Sequence, residues 1–260
     1  MAPFESGIWY LNIAVTIALL IRLWVSHLAP IYRWLFIYLA VGVLQQCALL
    51  FTPRTTNLYG WTYIAGQSIK IVLVVFVVLE LYRLALAGQP ALAKYGQNTV
   101  AVVLFASAGI AALGLLIDPT APPGRSMILY RFFSFERTMD SFVLVFLVLI
   151  TLFMTWFPVR MKRNVALYVG GFILLFLSRS AYMLLLNVMS VRHLGTLNSG
   201  MQVISSTCLL VWLFTLGKEG EKTTTVVGHR WDPAAMDRMS GQLDAINASL
   251  MKLSRSERGV

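Results

Sequence analysis

The stretch WTYIAGQSIKIVLVVFVVLEL, residues 61–81, decides the fold class of this chain. Apart from Lys70 and Glu80 it carries no charged side chain, and its second half is almost entirely aliphatic. A helix rises about 1.5 Å per residue, so about 20 mainly apolar residues reach across the hydrocarbon core of a bilayer. The stretch therefore predicts a transmembrane helix.

The composition extends this prediction to the whole chain. Hydrophobic residues make up 58% of the 260 residues and charged residues only 12%, with a mean hydropathy of +0.74. Soluble domains usually carry about 25% charged residues, so the composition excludes a soluble protein. In a soluble protein the net charge of +10 would indicate nucleic-acid binding. In a membrane protein, excess Lys and Arg residues usually lie in cytoplasmic loops beside anionic lipid headgroups. We predict membrane lipids, and no nucleic acid, as partners.

Seven apolar runs are long enough to cross a membrane. They cover residues 8–26, 34–52, 61–81, 98–117, 138–157, 165–188 and 196–216. None of them alternates between apolar and polar residues as the strands of a membrane barrel do, so the runs are predicted to be helices. Residues 1–217 are thus predicted to form an all-α bundle of seven transmembrane helices, 218–230 a polar linker, and 231–260 a cytoplasmic helix.

The basic residues set the predicted orientation. With the N-terminus outside, the cytoplasmic loops hold seven Lys and Arg residues against five in the outer loops, and the basic tail also lies in the cytoplasm. Excess positive charge in the cytoplasmic loops is typical of membrane proteins. We therefore predict a protein of the cell (inner) membrane with its N-terminus outside and its C-terminus in the cytoplasm.

Two cations lie deep inside the predicted spans. Lys70 and Arg179, on the third and sixth spans, each lie about 13 Å below the outer edge, at about 1.5 Å per residue. Ionisable groups at this depth usually face the bundle interior and often mark a functional site. The candidate counterion is Asp140, with Glu136 one turn away, whereas Glu80 is predicted to pair with Arg83 near the cytoplasmic end.

Neutral polar residues occur at a similar depth and complete the candidate pocket. The ligand-binding set is predicted to be Lys70, Arg179 and Asp140 with Gln45, Gln46, Tyr63, Gln67, Tyr182, Asn198 and Gln202. A net positive pocket of this kind favours a carboxylate or phosphate ligand. The competing interpretation is that these side chains only hold helices together by interhelical hydrogen bonds.

Several known chemistries do not fit the residues. The predicted seventh span contains no Lys for a retinal Schiff base. The three histidines, His27, His193 and His229, lie outside the spans, so neither a membrane metal site nor a serine protease is predicted. These absences argue against an enzyme, although chemistry between Lys70 and Asp140 stays open. No cofactor and no metal are predicted.

The C-terminal segment predicts a coiled-coil helix. Asp232 is a good N-cap, and Pro233 suits the first helical position. Apolar residues then recur at alternating spacings of three and four, at Met236, Met239, Leu243, Ile246, Leu250 and Leu253. This seam predicts a homo-oligomer, with a trimer or tetramer favoured, or a coiled coil with a partner. The alternative is an amphipathic helix on the inner leaflet.

The spans, the short loops and the WDP sequence at residues 231–233 give the chain a resemblance to uncharacterised bacterial seven-helix membrane proteins with a short cytoplasmic helix. The resemblance implies a topology and no function. The leading hypothesis is a receptor-like or sensor protein that binds a small anionic or amphiphilic molecule in its outer half and self-associates through its tail. The alternatives are an anion or small-molecule channel or carrier, and a structural accessory subunit of a larger membrane complex.

Overall fold

The computed structural model describes residues 3–53, 56–87, 100–103, 106, 109, 127–156, 159–188, 194–227, 238, 241–242 and 245–249. The described chain is mostly helical. Its helices are α1 (Pro3–Val25), α2 (Arg33–Phe51), α3 (Asn57–Ala85), α4 (Met127–Trp156), α5 (Arg163–Val188), α6 (Leu194–Thr215) and the short α7 (Lys218–Lys222). Two short strands, β1 (Val159–Lys162) and β2 (Thr224–Val227), pair antiparallel.

Four helices are long and apolar enough to cross a membrane. They are Ser6–Val25, Arg33–Phe51, Asn57–Ala85 and Arg163–Tyr182, and Ser199–Thr215 is a shorter apolar helix. These helices coincide with the first, second, third and sixth predicted spans, and they support an integral membrane protein. The fourth predicted span, 98–117, lies mostly outside the described residues, although 100–103 are helical.

The fifth predicted span is part of a longer helix. The prediction began it at residue 138, but α4 begins eleven residues earlier, at Met127. The hydropathy pattern breaks at Arg131, Glu136 and Arg137, whereas the backbone continues as one helix through all three residues. A helix of this length carries Glu136 on the same face as Asp140, one turn apart.

Among the described residues, six helices pack in a ring, each against the next from α1 through α6 and back to α1, and α3 also contacts α5. Side-chain pairs give the relative directions. Asn12 of α1 contacts Ser206 of α6, and Arg22 contacts the Leu216 carbonyl just after α6, so these two helices run parallel. By contrast, α2 and α3 run antiparallel. At one end of the pair the Trp34 ring stacks on Phe76, and further along α2 Gln45 contacts the Tyr63 carbonyl, which lies earlier in α3.

We call the end of the bundle where α6 passes into α7 the tail end. A group of four side chains, which we call the clamp, closes it. Glu221 of α7 accepts hydrogen bonds from the Tyr32 hydroxyl, from Lys162 Nζ at 2.9 Å and from Asn164 Nδ2 at 2.9 Å. Tyr32 and Asn164 are fully buried. Residues 218–227, predicted to be a polar linker, are therefore docked on the bundle through α7 and through the pairing of β2 with β1.

Electrostatics favour the ionised form of Glu221. Burial alone would raise the pKa of its carboxyl group, but the hydrogen bonds from Tyr32, Lys162 and Asn164 and the charge of Lys162 lower that pKa below its ordinary value. A carboxylate whose pKa falls on folding stabilises the folded state above its unfolded pKa, and this contribution is lost as the pH drops through the folded value.

We predict that Glu221→Gln lowers the free energy of unfolding by about 1.5–3 kcal/mol near neutral pH, the usual range for hydrogen bonds to a charged group. The wild type should lose this difference as the pH falls below about 4.3, the ordinary glutamate pKa. Thermal unfolding in detergent across a pH series measures both effects. Glu219→Gln is the matched control, because Glu219 lies on the same short helix with an exposed side chain. Equal stability of the two variants would contradict the clamp.

Candidate functional site

An ionic cluster of Lys70, Glu136, Asp140 and Arg179 lies within the ring, about 24 Å along α5 from its first residue at about 1.5 Å per residue. Arg179 Nη2 is 2.6 Å from Glu136 Oε1 and 2.9 Å from Asp140 Oδ2. The two carboxylates project from the same face of α4 and are almost completely buried, with side-chain exposures of 2% and 7%. One guanidinium therefore bridges two buried carboxylates.

Neutral side chains of α3 complete the surroundings of Glu136. Gln67 Nε2 donates a hydrogen bond to Glu136 Oε1 at 2.6 Å, and the Tyr63 hydroxyl donates one to Oε2 at 3.3 Å. With Arg179, three donors from two helices converge on this carboxylate. Buried charges persist when they are paired and hydrogen-bonded in this way, so Glu136 is the best satisfied member of the cluster.

Lys70 differs from the other three members. It lines one small cavity together with Asp140, Arg179, Gln67 and Tyr38. Within the part of the chain that the structure describes, its ammonium group forms no hydrogen bond and no ion pair. The cavity has room for little more than one water molecule. Lys70 is thus a cation beside a space that admits water, and no carboxylate of the described residues touches it directly.

The charge balance of the pocket corrects the sequence prediction. The pocket was predicted to be net positive, with Lys70 and Arg179 facing the candidate counterion Asp140, and with Glu136 one turn away and outside the ligand-binding set. In the structure Glu136 joins it, so two cations face two carboxylates. The signal was present in the sequence as the one-turn spacing of Glu136 and Asp140, but the predicted span began after Glu136. Tyr38, which also lines the cavity, had no distinguishing sequence signal.

Some of the other predicted site residues lie apart from the ionic cluster. Gln45 is buried and donates from Nε2 to the Tyr63 carbonyl at 3.2 Å, so it adjoins the cluster only through the backbone. Gln46 instead faces α1, where its Nε2 donates to Asn12 Oδ1 at 3.4 Å, and Asn12 in turn donates to Ser206 at 3.1 Å. These contacts form a second polar group between α1, α2 and α6.

Three predicted site residues remain. Gln202 lies one turn before Ser206 on α6, and its Oε1 has no hydrogen-bond partner among the described residues. Tyr182 lies about one turn beyond Arg179 on α5 and is half-buried. Asn198 lies on α6, and its side chain is outside the described part of the structure. The structure therefore brings together Lys70, Arg179, Asp140, Gln67 and Tyr63, and it places Gln46 in the second polar group.

Glu80 does not pair with Arg83 as predicted. Its carboxylate accepts hydrogen bonds from the backbone N–H groups of Trp34 at 3.1 Å and Leu35 at 3.4 Å, and it is buried. These N–H groups belong to the first turn of α2, which has no intrahelical partners for them. Glu80 thus caps a neighbouring helix, and the Tyr168 hydroxyl also donates to it at 3.5 Å. A single sequence does not reveal this role, because the capped N–H groups belong to the backbone of a distant segment.

Among the described residues, no group of three or more His, Cys, Asp or Glu side chains is arranged to hold a metal ion. The chain matches no protein-family model, no curated protein and no solved structure.

Proposed function

We propose that the chain crosses the membrane seven times. The supporting observation is the relative direction of two neighbours. Gln67 of α3 lies against Glu136 of α4, and Ile71, one turn later, lies against Met139. The contacts follow the same order along both helices, so the helices run parallel. The intervening segment must then return from the tail end to the opposite end. It contains the apolar run 98–117, which is long enough to cross a bilayer once.

We further propose that the tail end faces the cytoplasm of the cell (inner) membrane and that the N-terminus lies outside. Exposed basic residues gather at the tail end: Arg33, Arg83, Lys162, Arg163, Lys218 and Lys222. Cytoplasmic loops carry such an excess, and anionic lipid headgroups attract it. In this orientation the ionic cluster lies in the outer half of the bundle.

We infer that the protein is a receptor-like or sensor membrane protein that binds a small anionic or amphiphilic molecule at the ionic cluster. The observation that carries this inference is Lys70. Arg179 is already occupied by two carboxylates, whereas Lys70 faces the cavity without a direct partner among the described residues. A ligand carboxylate or phosphate would supply that partner through a charge-assisted hydrogen bond.

Binding of anything larger than water requires the cavity to open, because its present volume holds about one water molecule. The helices that would separate are α3, α4 and α5, which supply the charged walls. Opening costs free energy, and a ligand recovers it only if it interacts more strongly with the open form than with the closed one. This is the behaviour of a sensor whose two states differ at the ligand site.

The second candidate is a structural accessory subunit. The satisfied Glu136 supports it, since hydrogen bonds and ion pairs between helices also serve packing alone. A structural role predicts no bound small molecule. It also predicts that the loss of the Lys70 charge changes stability only.

The test is native mass spectrometry of the protein purified in neutral detergent. We expect a small anion bound to the wild type, and its occupancy should fall at least tenfold in Lys70→Met, because the loss of a charge-assisted contact of about 1.5–3 kcal/mol weakens binding by this factor or more. Lys222→Met is the control, since Lys222 is exposed at the tail end.

Equal occupancy in the two variants, or a wild type without a bound anion, would favour the structural subunit. Anion flux through liposomes that the same substitution abolishes would instead identify a channel or carrier. Each outcome therefore selects one of the three functions.

We also propose that the tail drives self-association. Most of the heptad seam (Met236, Met239, Leu243, Leu250 and Leu253) lies outside the described residues. Ile246 is described: it is helical within 245–249 and 47% exposed. An apolar seam residue left exposed in the single chain is available for a second helix.

Ile246→Asp is expected to dissociate the oligomer without unfolding the bundle, since a charge in the seam must be desolvated in every subunit at a cost of several kcal/mol per ion. Light scattering in detergent gives the mass of wild type and variant. Ala248→Asp is the control, because Ala248 is exposed and lies off the seam. A monomeric wild type would contradict self-association and leave a partner helix as the target of the seam. An oligomer that survives Ile246→Asp would place the interface in the membrane spans.

A further inference from the structure

Two arginines lie at the tail end of the α2–α3 pair. Arg33 is the first residue of α2, and Arg83 lies in the last turn of α3. Because α2 and α3 run antiparallel, these helix ends are neighbours. Both arginines are exposed. Fifty positions of sequence separate them, so the antiparallel packing of the helices is what brings their charges to one edge of the bundle.

The Glu80 carboxylate, which feels the charge of Arg83, is engaged by backbone N–H groups. Glu80 lies one turn before Arg83, but its carboxylate is buried and accepts the backbone N–H groups of Trp34 and Leu35. In the described part of the chain neither Arg33 nor Arg83 forms an ion pair. Among the described residues nothing takes up the hydrogen-bond donors of their guanidinium groups, which are therefore open to a group from outside the chain.

An aromatic platform supports Arg33. The guanidinium carbon of Arg33 lies 5.7 Å from the ring centroid of Trp34, and that ring stacks on Phe76 with centroids 4.5 Å apart. Tryptophan rings prefer the level of the lipid headgroups, and a guanidinium over such a ring is held by cation–π attraction. With Trp34 at the headgroup level of a membrane that α2 crosses, Arg33 would lie beside the lipid phosphates.

We propose that Arg33, Trp34 and Arg83 form a binding site for the headgroup phosphate of an anionic phospholipid. The planar guanidinium group has a fork of donors that matches phosphate oxygens in pairs, and arginine is the usual residue for this contact. Basic pockets between transmembrane helices bind anionic headgroups in the same way. The site does not depend on the proposed sensor function, since it requires only that α2 and α3 cross the membrane.

The experiment titrates the protein, in neutral detergent, with phosphatidylglycerol and with phosphatidylcholine of identical acyl chains, and it counts bound lipids by native mass spectrometry. The wild type should bind one phosphatidylglycerol in preference to phosphatidylcholine. Arg33→Gln/Arg83→Gln should weaken this binding at least tenfold, as expected for the loss of hydrogen bonds to a charged group. Arg83→Gln alone, which leaves the contact of Arg33 with Trp34 intact, should give an intermediate loss.

The matched control is Lys218→Gln/Lys222→Gln, which removes the same two charges from exposed positions at the same end of the bundle. This control should bind phosphatidylglycerol like the wild type. Equal weakening in the two double variants would overturn the site, because the attraction would then be a general effect of net charge. A wild type without preference between the two lipids would overturn it as well.

Discussion

Arg179→Leu is expected to lower the free energy of unfolding by about 3–5 kcal/mol, the range found when one partner of a buried ion pair is removed. Arg179 Nη2 touches both Glu136 and Asp140, and the side chains of these two residues are almost completely buried. Without the guanidinium, two carboxylates one turn apart face the single cation Lys70. The uncompensated charge in a low-dielectric interior is the source of the loss.

A second substitution distinguishes this explanation from a simple loss of packing. In Arg179→Leu/Glu136→Gln, one carboxylate and one cation remain, so the pocket is neutral again. The glutamine carbonyl oxygen can still accept the hydrogen bond from Gln67, and its NH2 group can donate to the Tyr63 hydroxyl. We expect the double variant to be more stable than Arg179→Leu alone, as measured by unfolding in mixed micelles. If Glu136→Gln instead adds a further loss to that of Arg179→Leu, the two residues act independently and the ion pair is not what Arg179 contributes.

The sequence predicts the transmembrane helices well where apolar residues run without interruption. The long apolar stretch 61–81 lies wholly inside α3, and the first, second and sixth predicted spans coincide with helices of membrane length. Helix directions and side-chain depth follow from the order and length of such runs. For this reason the sequence also predicts that Lys70, Asp140 and Arg179 lie near one another, which the structure shows.

The sequence is less informative where partners come from the backbone or from distant short segments. Glu80 was predicted to pair with Arg83 on its own helix, but its carboxylate binds the first N–H groups of α2. The strands β1 and β2 have only four residues each and lie far apart in the sequence. They pair because the segment after α6 places β2 beside β1. Neither contact leaves a periodic pattern.

Glu136 illustrates a third reason. A span predicted from hydropathy stops at the first cluster of charges, and Arg131, Glu136 and Arg137 form such a cluster. The helix continues because Arg179 and two neutral donors of α3 satisfy the Glu136 carboxylate inside the bundle. Pairing with Arg179 therefore offsets the free-energy cost of burying the Glu136 carboxylate, a cost that a hydropathy scale assigns without regard to partners.

Substitution of two adjacent glycines of α5 by alanine is expected to change stability in different ways, because one glycine faces open space and the other faces a packed side chain. Gly170 is exposed, and a Cβ atom added there would meet open space. At Gly171 the added atom would collide with the Trp212 indole of α6. This indole is buried, stacks on Phe172 and donates from Nε1 to the Leu167 carbonyl at 3.1 Å. The absence of a side chain at Gly171 is what allows α5 and α6 to pack this closely.

Gly171→Ala is therefore expected to lower the free energy of unfolding by about 1–3 kcal/mol, the usual cost of an overpacked core. The methyl group displaces the Trp212 ring, and the hydrogen bond to Leu167 is strained with it. Gly170→Ala should instead leave stability unchanged or raise it by about 0.5–1 kcal/mol, since alanine favours a helix over glycine. Unfolding of both variants in the same micelles measures the difference. Equal behaviour of the two variants would show that α5 and α6 can separate without loss, and that the glycine does not set their distance.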